Sequence, residues 1–128
     1  MDAREQSLLN QISDHGVTTQ ITCRLPAPWR AAYSKTRGEV YLREGLTLAQ
    51  RISALAHELI HIRRGDGGHK DKATEECVQR RAALLLVSPL EYQLAEMLYD
   101  GNTLAIAREL DVTPDIIRAY RQVLNNNY

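Results

Sequence analysis

The segment His57-Glu58-Leu59-Ile60-His61 is the sequence feature that most restricts what this chain can fold into. Residues four apart on an α-helix share a face, so the two histidines would project side by side. Two imidazoles in that arrangement supply half of a tetrahedral zinc site. Glu58 would lie beside the metal without being a natural ligand, and a carboxylate there can take a proton from the attacking water. The segment therefore predicts a helix that carries two zinc ligands and a general base.

The flanking residues support a helix at this position. Its apolar residues recur at helical spacing, namely Ile52, Leu55, Leu59 and Ile62. Thr47 and Gln50 have the spacing of an N-terminal capping box, and Gly65 is placed to end the helix. The alternative is two ordinary histidines in the core or on the surface. Because two of the chain's four histidines fall in this one segment, we favour metal binding.

The charge of the chain is balanced, with 16 Lys and Arg against 16 Asp and Glu in 128 residues. A general nucleic-acid binder needs a positive surplus, so we expect no direct DNA binding. Cys23 and Cys77 form neither a metal motif nor a disulfide framework, and we expect reduced thiols. No stretch is long enough to span a membrane and the amino terminus does not look like a signal peptide. We therefore expect a cytoplasmic protein, and a monomer.

The order of the predicted elements indicates an α+β fold. A helix over about residues 4–14 is followed by a small sheet of about three strands, at residues 17–22, 31–34 and 39–43. Four helices are predicted after the histidine-bearing helix, at about residues 72–87, 89–99, 103–110 and 114–124. For the first of these the predicted buried face is Val78, Ala82, Leu85 and Leu86. For the second it is Leu90, Leu94, Met97 and Leu98.

A catalytic zinc site needs a third protein ligand and one open position. The candidates are His69, Glu75 and Glu76. His69 lies in a glycine-rich loop, two residues beyond the last histidine of a long HExxHxxGxxH motif. Glu75 lies on the inward side of the following helix, where an unpaired carboxylate is costly to bury, although a first-turn glutamate also interacts well with the helix dipole. Because a helix fixes a ligand better than a loop, we favour Glu75 and keep Glu76 and His69 as alternatives.

At this point the sequence resembles the ImmA/IrrE family of metallopeptidases, in particular phage-encoded and actinobacterial members. That family shows HExxH, then E-x-x-(A/V)-x-x-x-A-A-x-x-L, then a proline-headed helix. Here the matching residues are HELIH, the run from Glu75 to Leu85, and Pro89. Arg81 departs from the pattern, since the family often has an aromatic residue before the Ala-Ala pair. The similarity covers roughly residues 25–124 and is strongest from His57 to Pro89.

The resemblance implies a zincin-like fold with zinc held by His57, His61 and Glu75. It also implies a zinc-dependent endopeptidase that cleaves a helix-turn-helix transcriptional repressor, and so releases phage or mobile-element genes or a stress response. A phage-encoded member would act in the host cytoplasm. The alternative function is a non-proteolytic anti-repressor that binds its partner stoichiometrically, with zinc as a structural staple. Structural zinc sites usually have four protein ligands, so a set of three favours a catalytic site.

The carboxy-terminal residues have the pattern of a helix-turn-helix, with a tight turn at Asp111. We predict a metallopeptidase domain at residues 1–99 and a helical segment at residues 100–128 that packs on it. From Gly101 onward the charged residues are three arginines and three acids, which does not favour phosphate contacts. We expect this segment to pack on the catalytic domain or to grip the repressor.

Overall fold

The architecture is α+β, as predicted. A computed structural model describes residues 2–67 and 71–126, and in those ranges it contains six helices and a three-stranded mixed sheet. In chain order the elements are α1 (Ala3–Asp14), β1 (Thr18–Thr22), β2 (Ala31–Ser34), β3 (Glu39–Arg43), α2 (Leu48–Arg64), α3 (Lys72–Leu86), α4 (Pro89–Leu98), α5 (Thr103–Leu110) and α6 (Pro114–Asn125). None of the helices within these two ranges is long and apolar enough to cross a membrane. Cys23 and Cys77 are free thiols, as expected.

The sheet has the strand order β1-β3-β2. The strands β2 and β3 form the predicted antiparallel hairpin, whereas β1 pairs with β3 in parallel. Val40 and Leu42 of β3 point into the core, and their neighbours in sequence are partly exposed, as the alternating pattern predicts. The helix α2 packs against β2 and β3. The edge strand β2 therefore lies beside the helix that carries the two histidines.

The helix α2 has the ends and the buried face that were predicted. Thr47 and Gln50 form the capping box, with Gln50 N donating to Thr47 Oγ1 at 3.2 Å and Thr47 N donating to Gln50 Oε1 at 3.0 Å. Gly65 ends the helix at a φ of 79°, in the left-handed region that favours glycine. All four predicted apolar residues are buried, with exposures of 8% or less: Ile52, Leu55, Leu59 and Ile62. The two ends and the buried face of α2 together determine the direction in which His57 and His61 project.

The buried faces of α3 and α4 depart from the predictions. In α3, Val78, Ala82 and Leu86 are buried as expected, but Leu85 is 37% exposed. In α4 the prediction was wrong for all four residues, which are between 56% and 74% exposed: Leu90, Leu94, Met97 and Leu98. Tyr92 and Ala95, on the opposite side of α4, are buried instead.

Polar contacts of Tyr92 explain why α4 turns its leucines outward. The Tyr92 hydroxyl donates a short hydrogen bond to Glu96 and accepts one from Arg121 Nε at 2.9 Å. The ring of Tyr92 also packs against Tyr120, with 4.9 Å between ring centroids. Arg121 and Tyr120 both belong to α6, so contacts with a distant helix orient α4. The apolar period of α4 alone does not contain that information.

The helices α5 and α6 form a helix-turn-helix that is tied to the start of the chain and to α2. Asp111 makes the turn with a φ of 52°. Thr113 N donates to Ser53 Oγ of α2 at 3.1 Å. Arg4 donates to the backbone carbonyl oxygens of Leu110 and Asp111, at 3.0 and 2.8 Å. The helix α6 packs along α3, and the hydrogen bond from Thr113 places its beginning close to the histidine-bearing helix. The division at residues 99 and 100 stays a prediction.

Candidate metal centre

The side chains of His57, His61 and Glu75 meet between α2 and α3. His57 Nε2 is 2.8 Å from Glu75 Oε1, and His61 Nε2 is 3.1 Å from Glu75 Oε2. One potential ligand atom from each residue lies within 4.8 Å of the others. Tetrahedral coordination with bonds of about 2.0–2.1 Å places ligand atoms roughly 3.3 Å apart, which is close to these separations. This group could therefore hold a metal ion.

Two helices determine this convergence. His57 and His61 are one turn apart on α2, and their ring centroids are 5.0 Å apart. Asp71 caps the start of α3, because its carboxylate accepts from Thr74 N at 2.9 Å, and Val78 of α3 is fully buried. Glu75 lies nearly one turn before Val78 and so shares the face that packs on α2. His61 is 1% exposed, so at least one of the two imidazoles is fully enclosed.

Both ring nitrogens of each histidine face a hydrogen-bond acceptor. His57 Nδ1 is 2.6 Å from Gln79 Oε1, and His61 Nδ1 is 3.1 Å from Asp66 Oδ2. The Nε2 atoms of both rings face Glu75. A neutral imidazole has one N–H, so its other nitrogen would present a lone pair to an acceptor. With neutral rings and an ionised Glu75, one nitrogen of each ring would lack a partner, and a cation between the Nε2 atoms and Glu75 would supply one.

A bound cation satisfies these contacts better than two imidazolium ions. Two positive rings whose centroids are 5.0 Å apart would repel each other, and burial of His61 strengthens that repulsion. With the proton on Nδ1, each histidine donates to its outer partner and turns the lone pair of Nε2 inward. Histidines that bind a metal show this arrangement, with the other N–H held by a carboxylate or a carbonyl oxygen. The residues present thus fit a metal ion.

Asp66 and Gln79 contact the outer nitrogens of the two rings, and neither was predicted from the sequence. Gln79 follows Glu75 by four residues, so a polar residue one turn after a proposed ligand was an available signal. Asp66 follows Gly65, and its backbone N–H bonds to the carbonyl oxygen of His61 at 3.0 Å. This Schellman-type turn carries the chain back over the last turn of α2 and brings the Asp66 side chain to the ring of His61. Gly65 was therefore a sequence signal for the position of Asp66.

Asp66 is kept ionised by its neighbours. Arg64 Nε donates to Asp66 Oδ2 at 2.7 Å, and this hydrogen bond is the main reason why the pKa of Asp66 lies below its ordinary value. The contact with His61 lowers the pKa further. An ionised Asp66 can only accept a hydrogen bond, so it favours the protonated Nδ1 of His61.

Glu58 is a buried carboxylate beside the histidines. It is 4% exposed. Burial raises the pKa of Glu58 from an ordinary value of 4.5 to about 7, the neighbouring His57 opposes this shift, and Glu75 adds to it. A carboxylate with a pKa near neutrality can both accept and release a proton at physiological pH.

A cavity of about 460 Å³ opens next to these residues. Its walls come from the segment before β2, from α2 and α3, and from the beginning of α6. Glu58, His57 and Glu75 line it, and so does Ala31, the first residue of β2. This volume falls in the range of ligand pockets, which is about 300–1,000 Å³. The cavity can therefore take a small segment of another molecule beside the carboxylate and the histidines.

Of the candidates for the third ligand, the structure brings Glu75 to the histidines. Glu76 borders the cavity, but its carboxylate is 4.0 Å from Lys72 Nζ and it is not part of the convergent group. Cys77 lies near Arg64, with 3.8 Å between Sγ and Nη1, and is also outside that group. His69 falls outside the described residues.

Compared with known proteins, the chain matches no family model, no curated protein and no solved structure.

Proposed function

We propose that the protein is a zinc-dependent endopeptidase with a zincin-like fold, of the ImmA/IrrE type. One observation carries the proposal: Glu75 lies between the Nε2 atoms of His57 and His61, while the Nδ1 atoms have acceptors of their own. Two imidazoles and one carboxylate are a donor set of catalytic zinc enzymes. When bound there, zinc would polarise the carbonyl group to be cleaved and make an attacking water more acidic.

In this proposal the side chains around the metal have different roles. His57, His61 and Glu75 hold the metal, and Gln79 and Asp66 keep the proton on the Nδ1 atoms. Glu58 takes a proton from the attacking water and later gives it to the leaving amine. The raised pKa of Glu58 suits both steps. Burial makes the ionised carboxylate costly, so accepting a proton is favourable, and a pKa of about 7 still allows the proton to be released near neutral pH.

The edge strand β2 supports a peptide as the substrate. It pairs with β3 on one side, and its first residue, Ala31, borders the cavity that Glu58 also lines. An extended peptide placed along such an edge can align as an added strand, with backbone hydrogen bonds giving affinity. The proposed substrate is a helix-turn-helix repressor, which rests on the resemblance of HELIH and α3 to the ImmA/IrrE pattern.

The first test concerns the metal. We expect the purified protein to contain zinc at one equivalent per chain by elemental analysis, and His61→Ala to lose it. His61 is an enclosed ligand, so its loss also leaves a space in the core, and circular dichroism should establish that the variant is folded. A folded wild-type protein without stoichiometric zinc would contradict the metal site.

The second test concerns Glu58. Co-expression of the wild-type protein with the repressor encoded next to its gene should give a cleaved repressor, and Glu58→Gln should leave it intact while retaining zinc. Loss of a general base typically lowers a rate about 10²–10⁴-fold. Glu91→Gln is the matched control, because Glu91 is an exposed glutamate in the first turn of α4. A repressor that stays whole yet loses operator binding would support the anti-repressor instead, and cleavage by Glu58→Gln at the wild-type rate would refute the role of Glu58.

A further inference from the structure

We infer that Asp115, at the start of α6, is a positioning residue for the metal ligand His57 and acts through Gln79. Asp115 Oδ2 accepts a hydrogen bond from Gln79 Nε2 at 2.8 Å, and Gln79 Oε1 lies 2.6 Å from His57 Nδ1. These contacts join the carboxy-terminal helix to the ring of a proposed ligand. The inference rests on the proposed function, since it concerns the same metal site.

The direction of the chain of contacts follows from the donors and acceptors involved. An amide has a donor end and an acceptor end, and a half-turn of the side chain exchanges them with little change in shape. The Asp115 carboxylate only accepts, so it selects the orientation in which Gln79 Nε2 faces it. Gln79 then presents Oε1 to His57, which must carry its proton on Nδ1. The lone pair of Nε2 is thereby turned toward Glu75, where a metal would bind.

Without Asp115, the opposite orientation of Gln79 becomes accessible. The amide N–H groups would then face His57 Nδ1 and favour the tautomer whose proton is on Nε2. That tautomer has no lone pair for a metal at Nε2. Asp115 therefore biases His57 toward the form that binds, although it is itself exposed at the border of the cavity and contacts the ring only through Gln79.

Packing of α6 keeps Asp115 in place. Thr113 is 5% exposed and donates its backbone N–H to Ser53 Oγ of α2, and Ile116 and Ile117 are fully buried. The first turn of α6 is therefore fixed against α2 on one side of Asp115 and against the core on the other. The carboxy-terminal segment thus completes the surroundings of the metal site, beyond packing on it.

The experiment measures zinc affinity of the full-length protein by competition with a chromophoric chelator. Outer partners of ligating histidines typically contribute about 10–100-fold to metal affinity, and Asp115 is exposed and one contact further out. We expect Asp115→Ala to weaken zinc binding about tenfold, the low end of that range. Asp115→Asn should also weaken zinc binding, because an asparagine amide can donate as well as accept and no longer selects one orientation of Gln79. Glu91→Ala, which removes a first-turn acid from α4 in the same way, should leave the affinity unchanged.

A pair of exchanges separates orientation from helix stability. Gln79→Glu places a second carboxylate against Asp115 and should weaken zinc binding. Combined with Asp115→Asn it should recover wild-type affinity, since the introduced amide donates to the introduced carboxylate, which accepts from His57 Nδ1. Cobalt substituted for zinc gives an independent readout, because its visible absorption reports the ligand geometry.

The outcomes distinguish the inference from the function that underlies it. Wild-type protein that binds no zinc would overturn the metal site and this inference with it. Wild-type protein that binds zinc, with Asp115→Ala within about twofold of it, would overturn the inference alone. Additive effects of Gln79→Glu and Asp115→Asn would overturn it as well, because the proposed orientation requires the two changes to compensate.

Discussion

Replacement of Glu58 by glutamine should stabilise the metal-free protein, and by an amount that depends on pH. Glu58 is 4% exposed, and burial raises its pKa from 4.5 to about 7. A difference of about 2.5 pKa units corresponds to about 3 kcal/mol, at about 1.36 kcal/mol per unit. That is the order of magnitude by which ionised Glu58 destabilises the folded state relative to a neutral isostere.

The sign follows from the two pKa values of Glu58. Below 4.5 the carboxyl group is protonated in both the folded and the unfolded chain, so burial carries no ionisation cost. Between 4.5 and about 7 the unfolded chain releases the proton and the folded chain keeps it, so the folded state loses stability as the pH rises. Above about pH 7 the loss is complete, at about 3 kcal/mol. Glutamine does not titrate and avoids this loss.

Urea unfolding of chelator-treated protein, followed by circular dichroism, gives the comparison. At about pH 5, Glu58→Gln and wild type should differ little, and at about pH 8 the variant should be more stable by up to about 3 kcal/mol. The control Glu91→Gln should show no such dependence, since Glu91 is exposed. Saturating zinc should reduce the difference at the higher pH, because a nearby cation favours the ionised carboxylate. A difference that stays constant between the two pH values would refute the reasoning.

Two further predictions concern the surroundings of the metal and the outer face of α4. Asp66→Ala should weaken zinc binding about 10–100-fold in the chelator competition, because His61 Nδ1 loses its acceptor. The control Asp100→Ala, distant in sequence and outside the convergent group, should bind zinc as the wild type does. Equal zinc affinities of the two variants would contradict the role of Asp66. In urea unfolding, Met97→Ala should change the free energy of unfolding by less than about 0.5 kcal/mol, whereas Leu55→Ala, at a buried position, should cost about 2–5 kcal/mol. A large loss for Met97→Ala would mean that the outer face of α4 is covered.

The parts of the fold that could be predicted are those that local rules determine. The apolar period of α2, its capping box at Thr47 and its end at Gly65 are all contained within about twenty consecutive residues. The convergence of His57, His61 and Glu75 follows nearly as directly. It needs one spacing within α2 and the packing of the next helix along the chain.

The parts that could not be predicted depend on contacts between distant residues. The parallel pairing of β1 with β3 is a choice of neighbour that neither strand's own pattern contains. The outward face of α4 is set by Arg121 and Tyr120, which lie more than twenty residues further along. In both cases the hydrophobic period is compatible with two arrangements, and tertiary contacts select one.

The two histidines illustrate the same distinction within the metal site. His61 obtains its outer partner from a turn that Gly65 creates directly after the helix, so Asp66 is in place as soon as the end of α2 forms. His57 obtains its partner from Gln79 of α3, and the orientation of that amide depends on Asp115 of α6. The first support is local and the second requires the docked carboxy-terminal helix. A metal held by both rings would therefore depend on both supports, so its affinity would report the folding of α6 as well as that of α2.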